Sequence, residues 1–374
     1  MITINFNKKN FNDFVNEIEP VLKKKFNSVL KNKTDEEKEF LVFLKDVIGL
    51  KKIITAIPDN FILTNCKTFK EIEDEINLKK FQLRQGINKI ITPTNFDKYL
   101  KKISSEKLQK IMQLNNIKRN KATKKEEFIK RIKNHTFNKN NKILFKKEYF
   151  ILRVEEFCKE IFEKFYLEEW DKIDYTKYVF VENIDIKTCP YCNRNYIFIY
   201  DEGKIRPEID HFFPKSHYPY FAMSYFNLIP CCHICNHTKL NKFDINLVNP
   251  YSLLTNETKI DFSIDVKNVN FTNIKKDKYD FNSFSINVNS KNNKNLEIFQ
   301  LKELYKQHKD IVVDLLIKNA YYPSQYIQYL RSYGFSEEEI YKFIFNSFIK
   351  DEELHKRPLS KLIKDIAIEL KLIR

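Results

Sequence analysis

The chain has 374 residues, which at roughly 150 residues per domain predicts two or three domains with a sizeable core. Its 66 basic and 50 acidic residues give a formal charge of +16, a balance suited to polyanionic partners. Its only glycines are Gly49, Gly86, Gly203 and Gly334, too scattered for a P-loop or a GxGxxG dinucleotide site, and no apolar run approaches the roughly 18 residues of a membrane span.

From Phe11 to about Tyr175 the pattern is mostly helical. Phe11, Phe14, Ile18, Leu22, Phe26 and Val29 recur at three- and four-residue steps, with Pro20 marking a boundary or kink. A second helix is expected from about Phe145 to Leu167, with Phe150, Val154, Phe157, Ile161 and Phe165 on one face. The polar run Asn134 to Lys142 between them reads as a linker. After a cysteine-rich centre, Phe262, Ile264 and Val266, then Phe284, Ile286 and Val288, alternate with polar residues and predict two short strands. Helical period returns from Leu301 and continues to the end. The expected fold class is α+β and predominantly helical. A helical, basic stretch over 1–180 precedes a central unit over 181–250, and 251–374 carries a hairpin followed by helices.

With Met1 to Asn10 lacking the apolar core of a signal peptide, a cytoplasmic location is expected, where seven cysteines predict metal, catalytic or core roles rather than disulfides. Cys66 and Cys158 read as buried thiols. The other five fall within 47 residues, and four of the seven histidines, His211, His217, His233 and His237, lie in or beside the same window. Cys189-Pro-Tyr-Cys192 and Cys232-His-Ile-Cys235 are two CxxC knuckles, which together supply the four thiolates that structural Zn²⁺ prefers. Cys231 could replace Cys232 only by giving up the two-residue spacing.

The unit between the knuckles, Arg206 to Lys242, holds Asp210-His211 at the end of an apolar strand-like stretch. Asn227 lies in a second such stretch, Tyr225 to Ile229, and Asn236-His237-Thr238-Lys239 opens a short helix. Over Thr188 to Lys242 this resembles the HNH endonuclease family, whose ββα-metal core is a hairpin followed by a helix around one divalent cation. The resemblance implies hydrolysis of phosphodiester bonds, with His211 as general base and Asn227 orienting its imidazole. It also implies Asp210 and Asn236 on Mg²⁺ or Mn²⁺, with His237 a rival for the metal, and Lys239 facing the scissile phosphate. Regular β structure would send Asp210 and His211 to opposite faces, so the strand is expected to end or twist there. His217 and His233 read as structural or solvent-facing, and Lys215 and Arg194 as further phosphate contacts.

Two segments outside the centre bear on partners. Ser104 to His135 resembles a SAP domain, a small DNA-binding module, without its usual turn glycine, and Lys118, Arg119, Lys121, Lys124 and Lys125 are its expected phosphate contacts. His355 to Asp365 is similar to the tail of HNH proteins in bacterial antiphage operons, some of which, as in Septu-type systems, work beside an SMC-like ATPase; Arg357 and Lys361 there read equally as helix-surface residues. The expected partner is DNA, with RNA not excluded and a homo-oligomer allowed. The rival expectation is a catalytically inactive, zinc-stabilised nucleic-acid-binding or adaptor subunit.

Overall fold

The structure, a computed structural model, describes residues 2–31, 33, 35–59, 61, 63–86, 100–101, 105, 108–109, 112, 125–137, 154–200, 204–244, 246–252, 258–266, 284–291, 293–321 and 324–372. The described residues are mainly helical, with two small two-stranded sheets. In chain order the elements used below are α1 (Lys8–Leu30), α2 (Phe69–Gly86), α3 (Lys125–Phe137), α4 (Lys177–Ile184), β1 (Glu208–His211), β2 (Leu228–Cys231), α5 (His233–Lys239), β3 (Asp261–Val266), β4 (Phe284–Asn289) and α6 (Ser360–Glu369). None of the described helices is long and apolar enough to cross a membrane.

The chain forms two compact units, each drawn from separate stretches of sequence. The first takes Met1–Val21, Lys51–Phe69 and Glu163–Arg374, and so contains both the cysteine-rich centre and the C-terminal region. Its core is aromatic. Phe14 on α1 meets Trp170, Phe180 of α4 and Tyr225 at centroid separations of 5.4 to 5.9 Å, in edge-on or tilted geometries that suit ring quadrupoles. The polar ends of these rings are satisfied inside: Asn10 donates to the Tyr225 hydroxyl at 3.1 Å, and the Trp170 indole donates to the Tyr175 carbonyl at 2.7 Å.

The second unit takes Leu22–Leu50 and Lys70–Phe162. Phe26 packs edge-on against Phe162, and Ile72, Ile76, Phe128 and Ile132 are buried. The α1 stripe is buried as its period predicts, but Pro20 neither ends nor interrupts the assigned helix, which runs on to Leu30. Pro20 is exposed, while Ile18 and Leu22 on either side are buried, so the apolar face continues past the missing N–H. The expected linker also begins later, because Asn134 to Phe137 close α3; the rest of that run lies outside the described residues.

Val154, Phe157, Ile161 and Phe165 are buried along a helical segment that includes the π-helical turns Lys159–Glu163 and Phe165–Glu169. The two C-terminal strands form where alternation places them, with Phe262 opposite Val288 and Ile264 opposite Ile286. On β3 the Phe262 and Ile264 amides donate to the carboxylates of Asp365 and Glu369 on α6, which caps backbone donors that another strand could otherwise claim.

Candidate metal centre and His211 site

Cys189, Cys192, Cys232 and Cys235 are buried and bring their sulfurs within 4.8 Å of one another. Tetrahedral Zn²⁺ with Zn–S bonds of about 2.3 Å needs sulfurs about 3.8 Å apart, and Cys192 and Cys232 stand at 4.0 Å. Four buried cysteines so arranged could hold a metal such as zinc. Cys231 takes no part in the cluster; it ends β2, and burial holds its thiol well above the ordinary range. The surroundings suit thiolate: the Asn195 amide donates to Cys232 Sγ at 3.3 Å and the Arg194 backbone N–H to Cys192 Sγ at 3.4 Å. Hydrogen bonds from the other three thiols hold Cys232 far below its usual range.

Asn193, the residue that follows the first knuckle, is fully buried with φ +49°. Its amide donates to Thr188 Oγ1 and the Leu354 carbonyl, and its side-chain oxygen accepts from the Lys361 backbone N–H. The C-terminal segment that carries the antiphage resemblance is therefore spent on the knuckle. Lys361 is buried against Asp261 and Asp365 rather than lying on a helix surface.

From the second knuckle the chain enters α5, and β2 pairs antiparallel with β1, so that Asp210 lies opposite Ile229 and His211 opposite Leu228. The local structure differs from expectation at three points. Asn227 does not sit in the second strand but closes a 3₁₀ turn, Tyr225–Asn227, immediately before it. The helix starts at His233, three residues before Asn236. And β1 ends at His211, as one of the two expected alternatives, yet the side chains of Asp210 and His211 keep different partners.

Asp210 turns to one side and His211 to the other. Both Asp210 oxygens are engaged in the interior: Oδ2 accepts from the Tyr191 hydroxyl at 2.7 Å and Oδ1 from Lys239 Nζ at 3.0 Å. Lys239 has no exposed surface and donates also to the His211 carbonyl at 2.7 Å, so it is not the outward-facing phosphate contact expected. The cause is placement: α5 packs on β1, and an ammonium buried beside a carboxylate must pair with it.

Asn236 and His237 do not join Asp210. The Asn236 amide donates to Glu208 Oε2 at 2.5 Å, and His233 Nδ1 meets Glu208 Oε1 at 2.6 Å. His237 is exposed and stacks on the His233 ring. Among the described residues the four cysteines are the only group of three or more His, Cys, Asp or Glu side chains whose ligand atoms converge. Of the set expected for Mg²⁺, Asp210 is thus held by Lys239 and Asn236 by Glu208. Neither does Asn227 touch the imidazole. It accepts from the Phe213 amide at 2.6 Å and donates to the Phe213 and Phe221 carbonyls, which ties the loop between the strands into a fixed shape.

That loop delivers the Ala222 carbonyl to His211 Nε2 at 3.1 Å. A carbonyl only accepts, so Nε2 carries the proton and Nδ1 keeps its lone pair, with no partner among the described residues. Burial, then the positive charges of Lys215, Lys239 and Lys177, push the imidazole pKa down to about 3. The ring is neutral at physiological pH, and 7% of the residue's surface still reaches solvent. Tyr166, presented by the second π-helical turn, meets it edge-on at 4.5 Å, and the Lys177 and Lys215 ammonium groups lie 4.8 and 5.1 Å from the Tyr166 ring.

Glu208, Tyr191 and Tyr166 were not singled out by sequence reasoning. Glu208 carried a signal, since it lies two residues before Asp210 on one strand, and Tyr191 lies inside a CxxC; Tyr166, on a distant helix, carried none. Of the expected phosphate contacts in the second unit, Lys118, Arg119, Lys121 and Lys124 lie outside the described residues. Lys125 opens α3 and joins Lys101, Lys130 and Lys133 around a cleft of about 540 Å³. No family model, curated protein or solved structure matches the chain.

Proposed function

We propose that this chain is an HNH-type nuclease that hydrolyses phosphodiester bonds, with DNA the expected substrate and His211 the general base. One observation carries the reading: the His211 imidazole commits its Nε2–H to the Ala222 carbonyl, which leaves the Nδ1 lone pair without a partner among the described residues, near the positive charge of Lys215. In this reading His211 Nδ1 takes the proton from an attacking water, and the Ala222 carbonyl holds the imidazolium's other N–H in place. Lys215 attracts the phosphodiester and offsets charge that builds on its oxygens, while Lys177 is held by Asp171 at 2.9 Å. Asn227 acts as a positioning residue, because the loop it ties is the one that carries Ala222.

The four-cysteine cluster is read as a closed structural Zn²⁺ site that clamps the base of the β1–β2–α5 unit. A divalent cation such as Mg²⁺, when bound, supplies charge neutralisation at the phosphate. The donors do not fit it as arranged, since Lys239 occupies Asp210 and Asn236 is held by Glu208. The same closure of Asp210 favours the second reading, an inactive zinc-stabilised nucleic-acid-binding or adaptor subunit. A defence setting and an SMC-like ATPase partner rest on the resemblance of the C-terminal tail alone.

The test is incubation of the purified chain with supercoiled plasmid and linear RNA, with Mg²⁺, Mn²⁺ or EDTA. Wild-type protein is expected to nick or cut the plasmid, and His211→Ala to lose a factor on the order of 10² to 10⁴ in rate while still binding DNA. Cleavage by His211→Ala at the wild-type rate would overturn the assignment of the base; no cleavage by wild type under any condition would favour the adaptor.

A further inference from the structure

Two histidines on α5 contribute nothing to the core. The helix turns Cys235 and Lys239 inward, toward the thiol cluster and β1, while His233 and His237, which share the same four-residue spacing, are exposed on its outer side. Their rings stand one helical turn above each other, with centroids 5.7 Å apart and planes 21° from parallel. Two imidazoles in that register can close on one ion, which is why the spacing recurs where a helix chelates metal.

Glu208 prepares one of the two rings. A carboxylate only accepts, so His233 Nδ1, 2.6 Å from Glu208 Oε1, carries a proton, and the lone pair of the neutral ring lies on Nε2. The other carboxylate oxygen takes the Asn236 amide at 2.5 Å, which fixes the acceptor in turn. A carboxylate behind the ring nitrogen that does not meet the ion is the usual backing of a metal-bound histidine, because it sets the tautomer and makes the other nitrogen a better donor. The His237 ring has no hydrogen bond among the described residues, and both side chains are exposed enough to turn toward a common ion. A plain ion pair between Glu208 and a protonated His233 accounts for the first ring but not for the second stacked on it, since two cations one turn apart repel.

We infer that His233 and His237 form a surface site for a late first-row divalent ion such as Ni²⁺, Cu²⁺ or Zn²⁺, oriented by Glu208 and separate from the four-cysteine cluster. Imidazole nitrogens select such ions, whereas Mg²⁺ prefers oxygen. Two protein ligands leave coordination positions for water, so the ion exchanges with solvent, unlike one enclosed by four thiolates. None of the three side chains has a role in the nuclease reading, and the inference does not rest on it.

The experiment titrates Ni²⁺ into the untagged, zinc-loaded full chain in excess Mg²⁺, by calorimetry, with any released zinc measured alongside. Wild type is expected to take up about one Ni²⁺ per chain and keep its zinc, because imidazole nitrogen favours Ni²⁺ over Mg²⁺. His233→Ala and His237→Ala should each weaken uptake by at least about ten-fold, and Glu208→Ala by about 10- to 100-fold, with Glu208→Gln restoring part of the loss because its carbonyl still accepts from Nδ1. Retention of zinc in each variant reports that the second knuckle, which adjoins both histidines, is intact. Should a variant lose its zinc, the wild type decides: sub-stoichiometric Ni²⁺ should broaden the His233 and His237 ring signals in the proton NMR spectrum before those of the other histidines. Uptake unchanged in both histidine variants would overturn the inference, as would broadening centred on other histidines, or a wild type that takes up no Ni²⁺ except by giving up zinc. Nickel uptake at these rings by a chain that never cleaves nucleic acid would leave the inference standing and sink the nuclease.

Discussion

Removing the ammonium of Lys239 leaves Asp210 a buried carboxylate with only the Tyr191 hydroxyl beside it. Lys239→Met should therefore cost about 3–5 kcal/mol of unfolding free energy, and adding Asp210→Asn should recover much of it, since the cost is that of an uncompensated charge and not of a missing attraction. Denaturant unfolding of the single and double variants checks this, and equal destabilisation by both would refute it. His211 makes a prediction of opposite character. Its native pKa of about 3 lies below the 6.5 of a free imidazole, so between those values the unfolded chain binds a proton that the native state does not. Stability is full above pH 6.5 and declines as pH falls toward 3, by about 2 kcal/mol at pH 5 and about 4 kcal/mol at pH 3. His211→Gln has no such proton to gain, and the difference in its unfolding free energy between pH 7.5 and pH 5 should be smaller than wild type's by that 2 kcal/mol. An identical pH dependence in the two proteins would show that the imidazole titrates normally.

At the scale of elements, the knuckles hold together parts that have little core of their own: a four-residue strand on each side of the hairpin and a seven-residue helix whose cap Cys232 makes no side-chain capping bond. Metal binding and folding should accordingly be coupled here. Cys235→Ser, or strong chelation, is expected to remove about one metal per chain and to expose the backbone of β1, β2 and α5 to hydrogen exchange while α3 keeps its protection; folded, metal-free wild-type protein would contradict this. The thiol cluster was legible in the sequence because CxxC spacing is itself a geometric statement. So were the C-terminal strands, whose period of two needs no tertiary knowledge. The partners of Lys239 and Asn236 were not: the family resemblance assigns the two to phosphate and metal, and only the placement of the strand beneath them brings Asp210 and Glu208 within reach. The continuation of α1 through Pro20 was hidden for a related reason: a local breaker was outweighed by an apolar face whose burial is tertiary.

For the molecule as a whole, the excess of 16 positive charges predicts affinity for polyanions that falls steeply with salt, and the second unit concentrates part of that charge where Lys101, Lys125, Lys130 and Lys133 line one cleft. Changing those four to glutamine should flatten the dependence of log K on log salt by up to about 0.9 for each duplex-DNA phosphate that is no longer neutralised, with bound metal unchanged; an unaltered slope would make the cleft a structural feature only. The Asn193 junction has a consequence of a different kind, in time. Its amide waits for the Leu354 carbonyl, 161 positions further on, and its oxygen for the Lys361 amide beyond that. At about 5–20 residues per second, a ribosome needs roughly 8 to 32 s to supply the first of those partners. A nascent chain therefore has all four cluster cysteines in place from Cys235 onward while the Asn193 junction is still unfinished, and a message cut short after β4 would yield a protein in which this junction never closes.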